Sequence, residues 1–241
     1  MPTPLTLHRP VLPSGNRLLN SLPRAEYERL RTLFVPVPLP QGKVLWDAGE
    51  TVRYAYFPVS GMISILSTTR EGASIEVGMV GGEGMAGVPG LLSDRVTPYR
   101  IMVQLPAHAL RISAAVLGEE FRRGGPLQDL LLRYIHTLLT QMSQSAACNS
   151  FHTVEQRLCR WLLVARDHAD DDTLRLTQEF LSQMLGVPRT SVTTIAGRVQ
   201  KLGLIRHSRG RVQIVDRAGL EAASCECYRV IRDEFARLLA A

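Results

Sequence analysis

From Val187 to Val215 the chain carries no aspartate or glutamate, yet it holds Arg189, Arg198, Lys201, Arg206, Arg209 and Arg211. A field of one sign over so short a stretch suits a polyanion. Within it, Arg189 has the most specific chemistry. A guanidinium can donate two parallel hydrogen bonds, a geometry matched by O6 and N7 of guanine. Thr190 and Thr194 set hydroxyl groups beside it and are, with Arg189, the candidate base-reading residues. Thr177, Gln178, Ser191, Arg209 and Arg211 are suited to phosphate oxygens, contacts that position a protein without reading sequence.

These side chains need two short helices and a tight turn to present them. Thr177 can cap a first helix that ends near Leu185. Gly186 permits the left-handed backbone of a turn, and Pro188 starts a second helix. Leu181, Met184 and Leu185 face Val192, Ile195, Val199 and Leu202, which recur at helical spacing and predict a buried seam. This is a helix-turn-helix, whose second helix enters a major groove by its N-terminal residues. Beyond Gly203, the pairs Leu204-Ile205 and Val212…Ile214 flank Ser208-Arg209-Gly210-Arg211. That pattern predicts a β-hairpin with a basic tip, a wing.

The N-terminal two thirds reads differently. Residues 1–20 are rich in proline and polar residues and predict a flexible arm; a short helix over 23–34 follows. Short apolar runs between 35 and 113 (VLWDAG, RYAYFPV, GMISILSTT, ASIEVGMV, RIMVQLP, HALRIS) predict a sandwich or barrel. From about Ala114 the period becomes helical. Leu127, Leu131, Tyr134, Leu138 and Met142 predict a long amphipathic helix over 126–147, widened by Leu130, Ile135 and Leu139. Its stripe is wide enough for both the β domain and a partner copy of the helix. A further helix is expected over 153–168, ended by a solvated loop at Asp170-Asp171-Asp172.

Composition narrows the classes. Hydrophobic residues make up 45% and charged residues 21%, so a folded core is expected. No apolar run reaches the ~18 residues of a membrane span, and the proline-broken N-terminus lacks a signal-peptide core, which predicts a cytoplasmic protein. No HExxH, G-x-S-x-G or P-loop pattern occurs, so no enzyme is expected. The four cysteines, Cys148, Cys159, Cys225 and Cys227, are too scattered for a disulfide framework. Cys225 and Cys227 form C-x-C with no third ligand nearby in sequence. They read as ordinary half-buried thiols, and no metal site is expected.

With LPQGKVLWDAGE, FPVSGMISIL, VGGEGMAGV, the long helix and TQEFLSQMLGVPRTSV in sequence order, the chain resembles the Crp/Fnr family of bacterial transcription regulators from about Pro40 to Ile214. The resemblance implies an α+β fold: an N-terminal cyclic-nucleotide-binding-like β jelly roll, a long dimerisation helix and a C-terminal winged helix-turn-helix. The boundaries would be an arm at 1–20, a sensor at 21–125, a dimerisation helix at 126–150 and a DNA-binding domain at 151–241. Implied partners are double-stranded DNA, a second copy of the chain and, as a candidate, RNA polymerase.

In the family's reading helix, Arg189 and Ser191 match, whereas Thr190 stands where glutamate is common and Thr194 where arginine is common. The half-site should therefore differ from the best-known one. Gly82, Glu83, Gly84 and Met85 correspond to the family's phosphate-cradling turn and are the candidate effector pocket. Thr97-Pro98 replaces the pair whose arginine neutralises a cyclic phosphate. Cyclic AMP in the usual mode is not expected, because a buried phosphate would lack a charged partner. A small nucleotide remains a candidate effector, a cyclic dinucleotide among them; the alternative is a constitutive regulator with a ligand-free sensor. No cysteine precedes Cys148, so no iron–sulfur cluster is expected, and His8, His108 and His136 have no telling context as haem ligands.

Overall fold

The structure is a computed structural model that describes residues 14–92, 95–169, 171–208 and 210–240. The expected arm falls outside these residues up to position 13, as do His8, Asp170 and Arg209. Its remainder is not loose. Asn16 is fully buried and caps α1 (Arg17–Asn20), and its side-chain amide donates to Pro58 O (2.7 Å) and Gly84 O (3.1 Å). With both donors placed, Leu18 and Leu19 follow into the core. The helix α2 (Arg24–Leu30) follows Pro23 and ends in a 3-10 turn at Arg31–Leu33.

Five strands make the β domain: β1 (Val35–Leu39), β2 (Val44–Trp46), β3 (Tyr54–Thr68), β4 (Ser74–Val80) and β5 (Arg100–Ser113). Their order is β1-β5-β3-β4, with β2 also on β5. Two pairs of expected strands are each one long bent strand. In β3 the pairing register with β5 shifts at Pro58/Ser60, Ser60/Met62 and Met62/Ile63. Gly61, at φ +73, makes this bend feasible, because a side chain there would strike the backbone of Pro106 and Ala107. The break in apolar alternation that separates the two runs in sequence is thus a bulge within one strand.

After α3 (Ala114–Arg122), held to α2 by an Arg29–Glu120 ion pair, comes α4 (Pro126–Phe151), four residues longer than its periodicity predicts. The next helix, α5 (Val154–Asp167), begins with a reciprocal cap between Thr153 and Gln156. Then come β6 (Thr173–Arg175), α6 (Gln178–Leu185), α7 (Arg189–Lys201), β7 (Ile205–Ser208), β8 (Arg211–Ile214), α8 (Arg217–Ala223) and α9 (Cys227–Ala240). Ile231, Phe235 and Leu238 of α9 are buried in the same core as Leu127, Leu130 and Leu131 of α4. The last helix, placed by sequence in the DNA-binding domain, therefore packs back along α4.

The assignment of Leu127, Leu131, Tyr134, Leu138 and Met142 to a dimer seam needs correction. The first four are buried in the chain's own core, and the Tyr134 hydroxyl donates to Met85 O at 2.8 Å. A different face of α4 is open. Leu132 is 51% and Leu139 58% exposed, with Ile135 and Met142 half-buried on the same side. The steps of three, four and three between these residues match the spacing of a coiled-coil seam.

A second core joins the two halves. Met62, Leu66, Met79 and Leu105 of the β domain pack with Leu158, Trp161 and Leu162 of α5 and with the winged domain. At its centre lies the buried carboxylate of Glu76, which accepts from Ser64 Oγ (2.5 Å) and Trp161 Nε1 (2.9 Å). Burial pushes Glu76 up to about 7, against the opposing pull of Ser64, Arg160 and Trp161.

The folded chain therefore holds a proton on Glu76 that the unfolded chain releases near 4.5. This contribution is full below that pH and is lost as pH rises through about 7, by roughly 3 kcal/mol at most. Urea unfolding between pH 5 and 8 should show this decline, and Glu76→Gln should remove it. Identical pH profiles for the two proteins would rule the assignment out.

Candidate nucleic-acid interface

Thr177 caps α6, its hydroxyl accepting from Phe180 N at 3.2 Å. Gly186 then takes the left-handed conformation (φ 62, ψ 38), and Ser182 Oγ donates to Val187 O at 2.6 Å to close the turn. A Cβ on Gly186 would come within 2.9 Å of Ile75 in β4, so the turn also lies tight against the sensor sheet. Leu181, Met184 and Leu185 are buried, as are Val192, Ala196 and Val199 of α7. The expected seam is corrected at its end: Leu202 is 63% exposed, because it lies past the last turn of α7, and Ala196 takes the inner position.

Arg189, Thr190, Thr193 and Thr194 are exposed on the first two turns of α7, and Ser191 is half-buried. The Thr193 and Thr194 hydroxyls lie within hydrogen-bond distance of the carbonyls of Arg189 and Thr190, each at 3.0 Å. Thr193 Oγ1 also lies 3.0 Å from Gln178 Oε1, which orients Gln178 beside the reading helix. Arg189 forms an ion pair with Glu179 of α6 (2.9 Å). Sequence reasoning missed Glu179, since ten residues and a turn separate it from Arg189. Both side chains are more than half exposed, so the pair holds Arg189 only weakly, by about 0–1 kcal/mol.

The wing has the expected hairpin, with Ile205 opposite Ile214 and Ser208 opposite Arg211. A third strand, β6, pairs with β8 and was not foreseen, because three residues show no period. Leu176 N donates to Gly210 O at 2.8 Å and ties the hairpin tip to the start of α6. Arg206 and Arg211 are exposed, and Arg209 lies outside the described residues.

The candidate effector turn is arranged otherwise than expected. Gly82 O, Gly84 O and Met85 O accept from Arg17 N, Asn16 Nδ2 and the Tyr134 hydroxyl. Glu83 is buried, accepts from Gly81 N at 3.1 Å and lies 3.5 Å from His168 Nε2. Of Gly82, Glu83, Gly84 and Met85, only Met85 lines the cavity of about 480 Å³ between the β domain and α4. The other three are displaced from that role because the N-terminal segment, Tyr134 and His168 already occupy their polar groups. Trp46, Ile65 and Tyr99 form part of the cavity, and Ile135, Leu139 and Met142 border it from the open face of α4. Thr97 and Pro98 line it too, and among the described residues no charged side chain does.

A second group of side chains is brought together that sequence reasoning had kept apart. Cys148 and His152, at the end of α4, meet Cys225 and Cys227, at the start of α9. The reading of Cys225 and Cys227 as thiols without further ligands is therefore corrected. Their partners lie some 75 residues away, with Cys227 Sγ 3.5 Å from His152 Nδ1. No helix among the described residues is long and apolar enough to cross a membrane.

Two family models match the chain: a cyclic nucleotide-binding domain over residues 36–123 and a Crp-like helix-turn-helix domain over residues 156–223. Together they match more than half of it. No curated protein sequence matches significantly. Among solved structures, a protein from Eubacterium rectale described as a transcriptional regulator of the Crp/Fnr family is similar (TM-score 0.69, 17% identity), over 87% of this chain and 98% of that one. FixK2 from Bradyrhizobium japonicum aligns with TM-score 0.65 and 12% identity, over 80% and 98%. The c-di-GMP-responsive regulator CLP of Xanthomonas campestris aligns with TM-score 0.57 and 19% identity, over 79% and 98%. Identities of this size speak for the fold. With the sensor domain, the long helix and the Crp-like helix-turn-helix in this order, the chain belongs to the Crp/Fnr family of transcription regulators.

Proposed function

We propose that the chain is a sequence-specific, double-stranded-DNA-binding regulator that acts as a homodimer through α4. The observation that carries this reading is the N-terminal half of α7. It is exposed, free of acidic residues and opened by Arg189, and α6 holds it rigidly from behind. In this reading Arg189, Thr190 and Thr194 meet base edges. Thr177, Gln178, Ser191 and Arg211 meet phosphates, and Arg209 shares that role by its place in the sequence. Glu179 would release Arg189 at the cost of a weak surface pair.

The open face of α4 supports the dimer, since Leu132 and Leu139 are exposed there, with Ile135 and Met142 half-buried beside them. The cavity beside this seam supports a small effector. With no charged side chain among its described lining, a phosphate would be poorly paired there, so an uncharged and largely apolar molecule fits better than cyclic AMP or a cyclic dinucleotide. An effector touching both Met85 and Leu139 would bias how two α4 helices pack, and through them the spacing of the two α7 helices. One observation favours a constitutive regulator instead. The glycine turn that cradles phosphate in the family is closed here by Asn16, Arg17 and Tyr134.

Selection of bound fragments from random-sequence DNA tests the reading, and a near-palindromic consensus is the expected result; no enriched sequence would overturn it. On that site, Arg189→Ala should cost about 1–3 kcal/mol and relax preference at one base per half-site. Equal losses on specific and random DNA would reject base reading by Arg189. Arg211→Ala should weaken binding to all sequences and lower the salt slope by about one unit, and an unchanged slope would mean that the wing avoids phosphate. Light scattering on Leu139→Glu should give a monomer where the parent is a dimer. If the mass stays that of a dimer, the seam lies elsewhere.

A further inference from the structure

Cys148 lies in the last turn of α4, His152 caps that helix, and Cys225 and Cys227 flank the start of α9. All four ligand atoms lie within 4.8 Å of one another, with Cys148 Sγ and Cys225 Sγ 3.5 Å apart. A tetrahedral zinc ion with bonds of about 2.3 Å to sulfur and 2.0–2.1 Å to nitrogen holds its ligands roughly 3.5–3.8 Å from each other. The four atoms are therefore within a small adjustment of that shell. A multi-iron cluster would hold the sulfurs further apart. The donors are soft, which disfavours calcium and magnesium.

Ordinary buried thiols do not look like this. Cys159, the fourth cysteine, sits in α5 within the apolar second core. Cys148, Cys225 and Cys227 instead form a buried group of their own, with no hydrocarbon residue in it. A Cys148–Cys225 disulfide would account for two of the four groups and leave Cys227 and His152 facing each other without purpose.

The surroundings suit a metal thiolate. His152 Nε2 lies 3.2 Å from Glu226 Oε1, so with Nδ1 on a metal the other ring nitrogen donates to a carboxylate and fixes the ring. Gln144 Nε2 donates to Cys227 Sγ at 3.1 Å. Two arginines close by, Arg157 and Arg160, are almost fully buried. Arg157 Nη2 donates to Leu185 O, but Arg157 Nε and Arg160 Nε and Nη1 have no acceptor among the described residues. Buried guanidinium groups need compensating negative charge. A zinc ion with three thiolates carries a net negative charge and would offset part of the positive charge of these two guanidinium groups.

We propose that Cys148, His152, Cys225 and Cys227 bind one zinc ion per chain in a closed structural site. The ion takes three thiolates and the neutral Nδ1 of His152, and the thiol protons displaced on binding pass to solvent. It ties α9 to the end of α4 and clamps residues 152–153, where the sensor helix meets α5 and the DNA-binding half.

The test is metal analysis of the full-length chain purified under reducing conditions without chelator. One zinc per chain is expected. Cobalt(II) added to the stripped, reduced protein should give the strong visible bands and sulfur charge-transfer absorption of a tetrahedral thiolate site. Cys148→Ser and Cys225→Ser should each abolish them, Cys159→Ala should keep them, and Glu226→Gln should weaken zinc affinity about 10–100-fold. Should the cysteine variants fail to fold, competition of wild-type protein with a chromophoric chelator still decides. Reduced wild-type protein that takes up no zinc, or an octahedral cobalt spectrum, would overturn the proposal. A Cys148–Cys225 disulfide in protein that also refuses zinc when reduced would assign the pair to redox chemistry instead.

Discussion

The burial of α4 is the constraint on which the rest of the structure depends. A helix of 26 residues cannot leave several apolar stripes in water, and this one has three sides to satisfy. One packs on the β domain through Leu127, Leu131, Tyr134 and Leu138, with the Tyr134 hydroxyl bonded to Met85 O. A second receives Ile231, Phe235 and Leu238 of α9. The third, through Leu132, Ile135, Leu139 and Met142, is left open. At roughly 1.5–3 kcal/mol for each fully buried large apolar side chain, the first two contacts hold sensor and helix as one body. The third is where a second molecule gains most.

That arrangement puts the cavity where the proposed effector mechanism needs it. Its walls are the turn around Met85 on one side and the open face of α4 on the other, so whatever fills it touches both the sensor and the proposed seam. The link onward to the DNA-reading helices is equally direct. Trp161 of α5 donates to the buried Glu76 of β4, and Gly186 lies against Ile75 one residue earlier on that strand. β4 thus touches both α5 and the turn between α6 and α7 directly.

The polar groups buried at this junction are costly unless each finds a partner. Glu76 has Ser64 and Trp161 as donors, and Arg157 has the Leu185 carbonyl. The remaining positive charge of Arg157 and Arg160 has the thiol group of the α4–α9 junction as its neighbour, where the Cys148 thiol is shifted toward thiolate by a hydrogen bond from Cys225 and by the field of Arg160. Electrostatics and packing thus converge on the short stretch between the end of α4 and the start of α5.

Much of this was legible in the sequence, and for a local reason. Helical period, a capping threonine, Gly186 and a run without acids are all properties of neighbouring residues, so α4, α5, the helix-turn-helix and the wing hairpin could be read from residue order alone. The domain order followed from the same motifs. What needed the folded chain was every decision about which of several compatible partners a group takes. Periodicity marks the apolar residues of α4, yet only packing assigns Tyr134 to the sensor and Leu139 to the open side. The glycine turn is plain in sequence, but its closure by Asn16 and the absence of Gly82, Glu83 and Gly84 from the cavity wall that Met85 joins are not. The bend at Gly61 joins two apparent strands because a bulge looks like a break when read along one dimension. Most of all, the meeting of Cys148 and His152 with Cys225 and Cys227 is invisible in sequence. Their spacing of about 75 residues has no local signature, and only the return of α9 along α4 brings them to one point.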